Sequence, residues 1–418
     1  MPKKPGFSPE HVEPFVKLSA RGVARLQGRH AWVYRSDVAD SNGVPPGSLV
    51  RVLDERGKFL GTALYSSSSQ IAIRLISHGS VADLPALVAE RIRAGIGYRK
   101  GLVSNTDAYR IIFSEGDFLP GLIVDRYNDV LCLQILTQAM DAAPVRAAVL
   151  QTLREELQPA GIVERVDARI REIEQLPLLQ SRLLWGEKNS TVFTMNSGSM
   201  NGSVRFHYDG LEGQKTGAFL DQRENYAAAA RYAHGEALDA FCYQGGFALH
   251  FSVNSAVHSA LHPAAKCSSV TGVDSSRPAL EMAEKNATLN GREMEWIEAN
   301  AFDLLREYAS SGRRYDTIVL DPPAFAKTKR DLEKALGGYK ELNLRAMKML
   351  RPGGILVTCS CSYHVSASDF FEVVADAARD AHKTFRVVEN RGAAKDHPML
   401  LNVPETGYLK CLILSVSN

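Results

Sequence analysis

The sequence lacks any long apolar run: no window approaches the ~20 consecutive apolar residues that a bilayer-spanning helix needs. A membrane partner is therefore not expected. Cysteine is scarce, six in 418 residues, at positions 132, 242, 267, 359, 361 and 411. Their scatter is not a disulfide framework, and no second cysteine pair or His-x-x-x-His completes a zinc site, so no metal is expected. Net charge is almost absent at +2, which by itself suggests no polyanionic partner. The opening "MPKKPGFSPEHVEPF" has no apolar core of the secretory type, so a cytoplasmic protein is the expectation. Low complexity is confined to "SSSS" at 66–69, and no internal repeat is found.

What is present divides the chain into three regions, as 418 residues with 45% hydrophobic content lead one to expect. Residues 1–80 read as short strands and turns, with "GSLVRVLDERGKFLGTALY" as a hairpin and "QIAIRLIS" as a further strand, together a small β-barrel. This region holds eleven Lys/Arg against six Asp/Glu, a local excess that suits phosphate tracking or simply a solvated surface. The helical spacing of "VADLPALVAERIRAGIGYRKGL" links it to residues 81–190, a compact α+β module. Residues 191–418 alternate short β-rich runs with helical stretches, the pattern of a parallel, doubly wound sheet.

Polar and glycine residues cluster at the ends of those runs, where ligands bind in open α/β sheets. After "ALDAF" comes "CYQGGF", a glycine turn entering a helix, with neither G-x-G-x-x-G nor a P-loop lysine. Gly245 lets the backbone approach a ligand closely. The next run ends at Asp274, 29 residues on, an acidic position suited to ribose hydroxyls. The third ends "EANAF", where Asn300 suits an adenine edge and Ala301 and Phe302 pack its ring. Asp239, Phe241 and Ser275 flank these positions and join the cofactor set. A nucleoside site without a phosphate-cradling loop points to S-adenosylmethionine. Taken singly, the same residues also read as a turn glycine, a strand-end aspartate and a helix cap. The fourth run ends "DPPAF", a stiffened loop whose carbonyls can face a flat base.

In "GILVTCSCS" strand alternation places Ile355, Val357, Cys359 and Cys361 on one face, with Cys359 deeper and Cys361 at the carboxyl end. "SASD" at 366–369 reads as a capping box, leaving 361–365 as an exposed loop. Cys361 is thus the candidate nucleophile and Cys359 a core residue.

In their order, "LQGRHAWVYRSDV", "EGDFLPGLIVDRY", "KTGAFLDQREN", "LDAFCYQGGFALH", "GVDSS", "EANAFDLL", "LDPPAF" and "CSCS" resemble the bacterial large-subunit ribosomal RNA cytosine-5 methyltransferases of the YccW type, over nearly the whole chain. The resemblance implies an N-terminal PUA domain, a central α+β domain and a C-terminal Rossmann-like methyltransferase domain. It carries Thr216, Phe219, Asp221 and Arg223 over as cofactor positions, Arg223 reading equally as a structural ion pair. It implies Cys361 as nucleophile on carbon-6 of cytosine, with Asp321 holding the base edge. Pro322, Pro323, Phe325 and Lys327 are the expected base contacts, and Arg29, His30, Trp32 and Arg35 the expected RNA contacts, Trp32 reading equally as barrel core. Many cytosine-5 RNA methyltransferases carry a second cysteine after the fourth strand; here Phe325 closes the loop instead, so product release needs another base. RNA, above all 23S ribosomal RNA, is the implied partner, with room left for a homodimer. Two alternatives stay open: an amino-directed base methyltransferase using "DPPAF", and a non-catalytic RNA-binding assembly factor.

Overall fold

The computed structural model describes residues 14–41, 43–197, 202–212, 216–254, 261, 266–326 and 329–417. The first sheet has six strands, β1 (Phe15–Leu18), β2 (Trp32–Tyr34), β3 (Val38–Asp40), β4 (Leu49–Leu53), β5 (Phe59–Tyr65) and β6 (Ile71–Ser77), in the order β2-β6-β5-β4-β1-β3. Alternation puts Val16, Leu18, Val50, Val52 and Ile73 into one small core, and the expected hairpin is β4–β5.

The linking helix runs Leu84–Lys100. The Asp83 side chain caps it by accepting from the Ala86 N–H, Pro85 sits in its first turn, and Gly101 follows its last residue. Val88, Ile92 and Ile96, four apart, form the stripe that it buries. They pack on the second sheet, β7 (Ala108–Phe113), β8 (Leu122–Tyr127), β9 (Val130–Ile135), β10 (Gly161–Glu164) and β11 (Arg182–Gly186), ordered β11-β10-β9-β8-β7. The helix Ala143–Leu157 adds Val145, Val149 and Leu153 to the same core.

A hairpin of β12 (Ser190–Asn196) and β13 (Ser203–Asp209) precedes the large sheet and gives Phe193, Met195 and Phe206 to that sheet's core. The large sheet comprises β14 (Gly235–Ala240), β15 (Cys267–Asp274), β16 (Glu295–Glu298), β17 (Tyr315–Leu320), β18 (Leu350–Ser360), β19 (Phe385–Arg391) and β20 (Lys410–Val416). Its order is β16-β15-β14-β17-β18-β20-β19, parallel as far as β18 and antiparallel at β20. Successive residues of β18 enter opposite cores: Ile355, Val357 and Cys359 on one face, Leu356 on the other. Both faces are thus covered, as parallel sheets require. The chain builds outward from β14 to β16, then returns to the other side of β14 as β17. That reversal opens a crevice at the carboxyl ends of β14 and β17.

The connection from β19 to β20 leaves the sheet and docks on the other two units. Asp396, fully buried, accepts from the Arg110 backbone N–H at 2.8 Å, Arg223 Nη2 at 3.2 Å and His397 Nδ1 at 3.2 Å. Its own carbonyl takes Arg99 Nη2 at 2.8 Å. Further along, Glu405 pairs with His30 at 3.1 Å. Burial alone would raise the Asp396 carboxyl, but His397, Arg223 and the Arg110 N–H reverse this and hold it at about 2. The folded value lies below the ordinary one, so this stabilisation is complete above the usual carboxylate range and is lost as pH falls towards about 2. Asp396→Ala, which strands buried guanidinium charge, should cost about 3–5 kcal/mol. Urea midpoints at neutral pH and in acid will check both: the gap between wild type and variant should close in acid.

Candidate active site at the switch of the large sheet

A cavity of about 550 Å³ fills the crevice, walled by the ends of β14, β15, β17 and β18 and by the turn ahead of the helix Arg223–Ala230. The turn after β14 is tightly wound. Phe241 and Tyr243 have φ of 67° and 49° and Gly245 of 83°, a region that only glycine enters without strain. Gly246 touches the cavity, and a Cβ there would sit 2.4 Å from the Tyr226 ring. Gly245 is not on the wall; it makes the turn that puts Gly246 there.

Two aspartates organise this half. Asp239 is fully buried on the wall, with Oδ2 accepting the Ala248 N–H at 2.9 Å and Oδ1 left without a hydrogen-bond partner. Burial pushes its carboxyl well above the usual range. Asp274 ends β15 and accepts from the Tyr243 and Ser276 N–H groups, each at 2.9 Å. Ser275 lies beside it on the wall. Asn300 caps the helix Ala301–Ser310 through the Phe302 N–H at 2.9 Å. It lines the cavity together with Ala301 and Phe302, whose ring meets Phe241 edge-on at 6.0 Å. An orphaned acidic oxygen, a strand-end carboxylate and an aromatic-lined slot fit a cationic nucleoside. Asp239 and Asp274 would hold its amino and hydroxyl groups, and Phe241 and Phe302 its ring.

The other half faces a substrate. Asp321, just past β17, accepts from Gln222 Nε2 at 3.0 Å. Gln222 in turn accepts from Asn225 Nδ2 at 2.6 Å, and Asn225 from Arg391 Nε at 2.8 Å. Pro322 and Pro323 line the cavity. Cys361, one residue past β18 and partly exposed, has Sγ 3.9 Å from the Pro322 carbonyl. Cys359 is fully buried opposite Cys411, and burial pushes its thiol well above the ordinary value. Phe219 and Asp221 also reach the wall, and Asp221 Oδ2 accepts the Tyr408 hydroxyl at 2.5 Å.

Several expectations need correction. Arg223 does not face the cavity; it is buried, donating to the Ala108 carbonyl and to Asp396, so the reading as a structural ion pair holds. Thr216 is buried against Tyr127 and is not on the wall. Phe325 also lies off the wall: its N–H donates to Ser362 Oγ at 3.0 Å and its ring packs on Tyr339, bracing the loop from behind. The 361–365 loop is only partly exposed, since Ser362 and Val365 are buried, although the capping box at Ser366 and Asp369 forms as read. Lys327 lies outside the described residues.

The N-terminal quartet is largely committed to structure. Arg35 donates to the Ser66 and Ser69 carbonyls, Trp32 Nε1 donates to Glu115 Oε1 at 3.1 Å, and His30 pairs with Glu405. Arg29 alone of the four is exposed. Trp32 is therefore a contact to the central module rather than barrel core. The sequence reading missed Gln222, Tyr408 and Leu409, all brought to the site by tertiary packing. Gln222 lies inside a segment singled out by resemblance. The other two precede an apolar strand whose pairing no local pattern reveals.

The parallel order around β14, the glycine turn without a phosphate loop and the strand-end carboxylates define a class I methyltransferase domain. Residues 182–414 match the S-adenosylmethionine-dependent methyltransferase family, and residues 16–78 match a PUA-like domain. The chain is 37% identical over 410 residues to a Shewanella denitrificans protein named ribosomal RNA large subunit methyltransferase I, covering 96% of this chain and 99% of that one. An Aeromonas hydrophila protein of the same name is 37% identical over 401 residues, covering 93% and 96%. The fold is also that of SMU.776, a crystal structure assigned to the methyltransferases and complexed with SAH: TM-score 0.79 at 18% identity, covering 96% of this chain and 99% of that one. The chain belongs to the S-adenosylmethionine-dependent methyltransferase family and carries a PUA-like domain ahead of the catalytic one.

Asp274→Ala removes the acceptor that fixes the Tyr243 turn and should weaken S-adenosylmethionine binding by roughly 1.5–3 kcal/mol, on the order of ten- to a hundredfold in Kd by calorimetry.

Proposed function

We propose that the protein methylates carbon-5 of a cytosine in large-subunit ribosomal RNA through a covalent bond to Cys361. The observation that carries this reading is the position of Cys361 on the wall of the cavity, with its sulfur 3.9 Å from the Pro322 carbonyl, while Cys359 is sealed in the core. The names of the relatives support ribosomal RNA as substrate, and the PUA-like match supports RNA binding.

The residues divide the work. S-adenosylmethionine, when bound, supplies an electrophilic methyl group. Cytosine carbon-5 is a poor nucleophile. The Cys361 sulfur lends its electron pair to carbon-6, forming a C–S bond and turning the ring into an enamine whose carbon-5 attacks that methyl. A solvent base takes the carbon-5 proton, the C–H electron pair returns to the ring as the C5–C6 double bond, the C–S bond breaks, and the thiolate leaves. Asp321, oriented by Gln222, accepts from the exocyclic amino group, and the stiff Pro322–Pro323 backbone gives the base a flat seat. Cys361 cannot reach a base within a duplex, so the target nucleotide is single-stranded or extruded.

Cys361→Ala should abolish methyl transfer while leaving S-adenosylmethionine affinity unchanged. RNA carrying 5-fluorocytosine, which has no carbon-5 proton to lose, should trap wild type as a covalent adduct visible on a denaturing gel. A fully active Cys361→Ala enzyme, or an amino-methylated product without adduct, would favour the amino-directed alternative and sink this reading.

A further inference from the structure

Lys410 opens β20 and pairs in register with Ser360, the last residue of β18. Its side chain then crosses to the turn beyond that strand. Nζ donates to the Ser362 carbonyl at 2.7 Å and to the Tyr408 carbonyl at 2.8 Å. Cys361 thus sits between two residues that Lys410 holds, one by strand pairing and one by its ammonium. The lysine is only 9% exposed, and among the described residues no carboxylate lies within ion-pair distance of Nζ. Two neutral carbonyls compensate only part of the cost of burying an ammonium. The transfer chemistry described above gives this residue no task.

Its surroundings supply one. Burial pulls the Lys410 amine down to about 8, and the charges that push back are those of Cys361 first and Asp369 second. Among the described residues, Tyr339, on the helix Leu332–Met349, and Tyr408, on the segment before β20, also feel the charge of Cys361; burial raises both hydroxyls. Asp321 faces the same cavity from the end of β17, and Asp221 faces it from the turn before the helix Arg223–Ala230. The tyrosines and aspartates named here are neutral or negative, and a negative neighbour opposes ionisation of a thiol, whereas the Lys410 ammonium favours it.

We propose that Lys410 is a positioning residue for Cys361: its ammonium, anchored on the Ser362 and Tyr408 carbonyls, keeps the sulfur in the thiolate form. The S–H proton leaves to solvent, the sulfur retains the electron pair that later bonds to carbon-6, and the fixed positive charge balances it. The proposal deepens the reading of Cys361 as the nucleophile and rests on it, but thiol ionisation is measurable without RNA.

The test is the pH dependence of iodoacetamide alkylation at Cys361, followed by peptide mass on the full-length protein so that each of the six cysteines is read separately. In wild type the midpoint should fall below the ordinary thiol value of about 8.5. Lys410→Met should raise it by about one unit or more, a roughly tenfold slower alkylation at neutral pH, and Lys410→Arg should restore most of the rate. A wild-type midpoint at or above the ordinary value overturns the proposal. So does a Lys410→Met profile that superimposes on wild type. Should Lys410→Met fail to fold, the wild-type midpoint and the Lys410→Arg profile decide. Absence of the 5-fluorocytosine adduct alongside a low, lysine-dependent midpoint would strike the cytosine reading and leave Lys410 in its role.

Discussion

One buried carboxylate, Asp396, ties the central unit to the unit of the large sheet. Asp396 sits on the excursion between β19 and β20, yet its partners come from β7 and from the helix Arg223–Ala230. Its carbonyl also takes Arg99 from the linking helix. A carboxylate removed from water is tolerated only when its oxygens are satisfied, so these elements cannot separate without leaving charge stranded. The same excursion ends in Tyr408, Leu409 and Lys410, which reach Asp221, the cavity wall and the Cys361 turn. One loop thus both ties the central unit to the large sheet and shapes the site.

That loop exists because β20 runs antiparallel and inserts between β18 and β19. Had β19 paired directly with β18, the carboxyl end of β18 would carry a second parallel neighbour and no chain would enter from outside the sheet. The inversion instead brings the amino end of β20 beside the carboxyl end of β18, where Cys361 leaves the strand. A cation placed there does not depend on a loop whose conformation must be held by ligand.

Much of this was legible in the sequence because local pattern and tertiary role agree. The β-rich runs before "CYQGGF", "GVD", "EANAF", "DPPAF" and "CSCS" are β14 to β18, and their ends meet at one cavity because a parallel sheet places all its carboxyl ends on one edge. Cys359 and Cys361 share a face by alternation and are told apart by their place along the strand, one inside β18 and one just past its end. What stayed hidden depends on partners far apart in sequence. Arg223 reads equally as a cofactor contact and as a structural ion pair until Asp396, 173 residues on, supplies the partner. His30 reads as an RNA contact and Trp32 as an RNA contact or barrel core, and neither local pattern shows Glu405 and Glu115 against them. The β12–β13 hairpin is a pairing of two ordinary strands, and nothing local says that its apolar face belongs to the large sheet's core. Lys410 begins an apolar strand, and nothing local says that its ammonium is folded inward onto two carbonyls.

The N-terminal sheet is seated firmly rather than tethered. Besides His30 with Glu405 and Trp32 with Glu115, Arg74 on β6 pairs with the buried Glu174 at 3.1 Å, and Ser66 Oγ donates to the same carboxylate at 2.7 Å. Swinging this sheet away would expose Glu174 and Arg74 together, a cost of several kcal/mol for a buried pair. Domain closure over a substrate is therefore an expensive way to bring an RNA base to Cys361. Extruding one nucleotide from a stack costs only a few kcal/mol, and less where the base is already unpaired. On the proposed function, the distortion falls on the RNA: the protein presents a fixed distance between its PUA-like face and its cavity, and only a nucleotide able to leave its stack at that distance becomes a substrate.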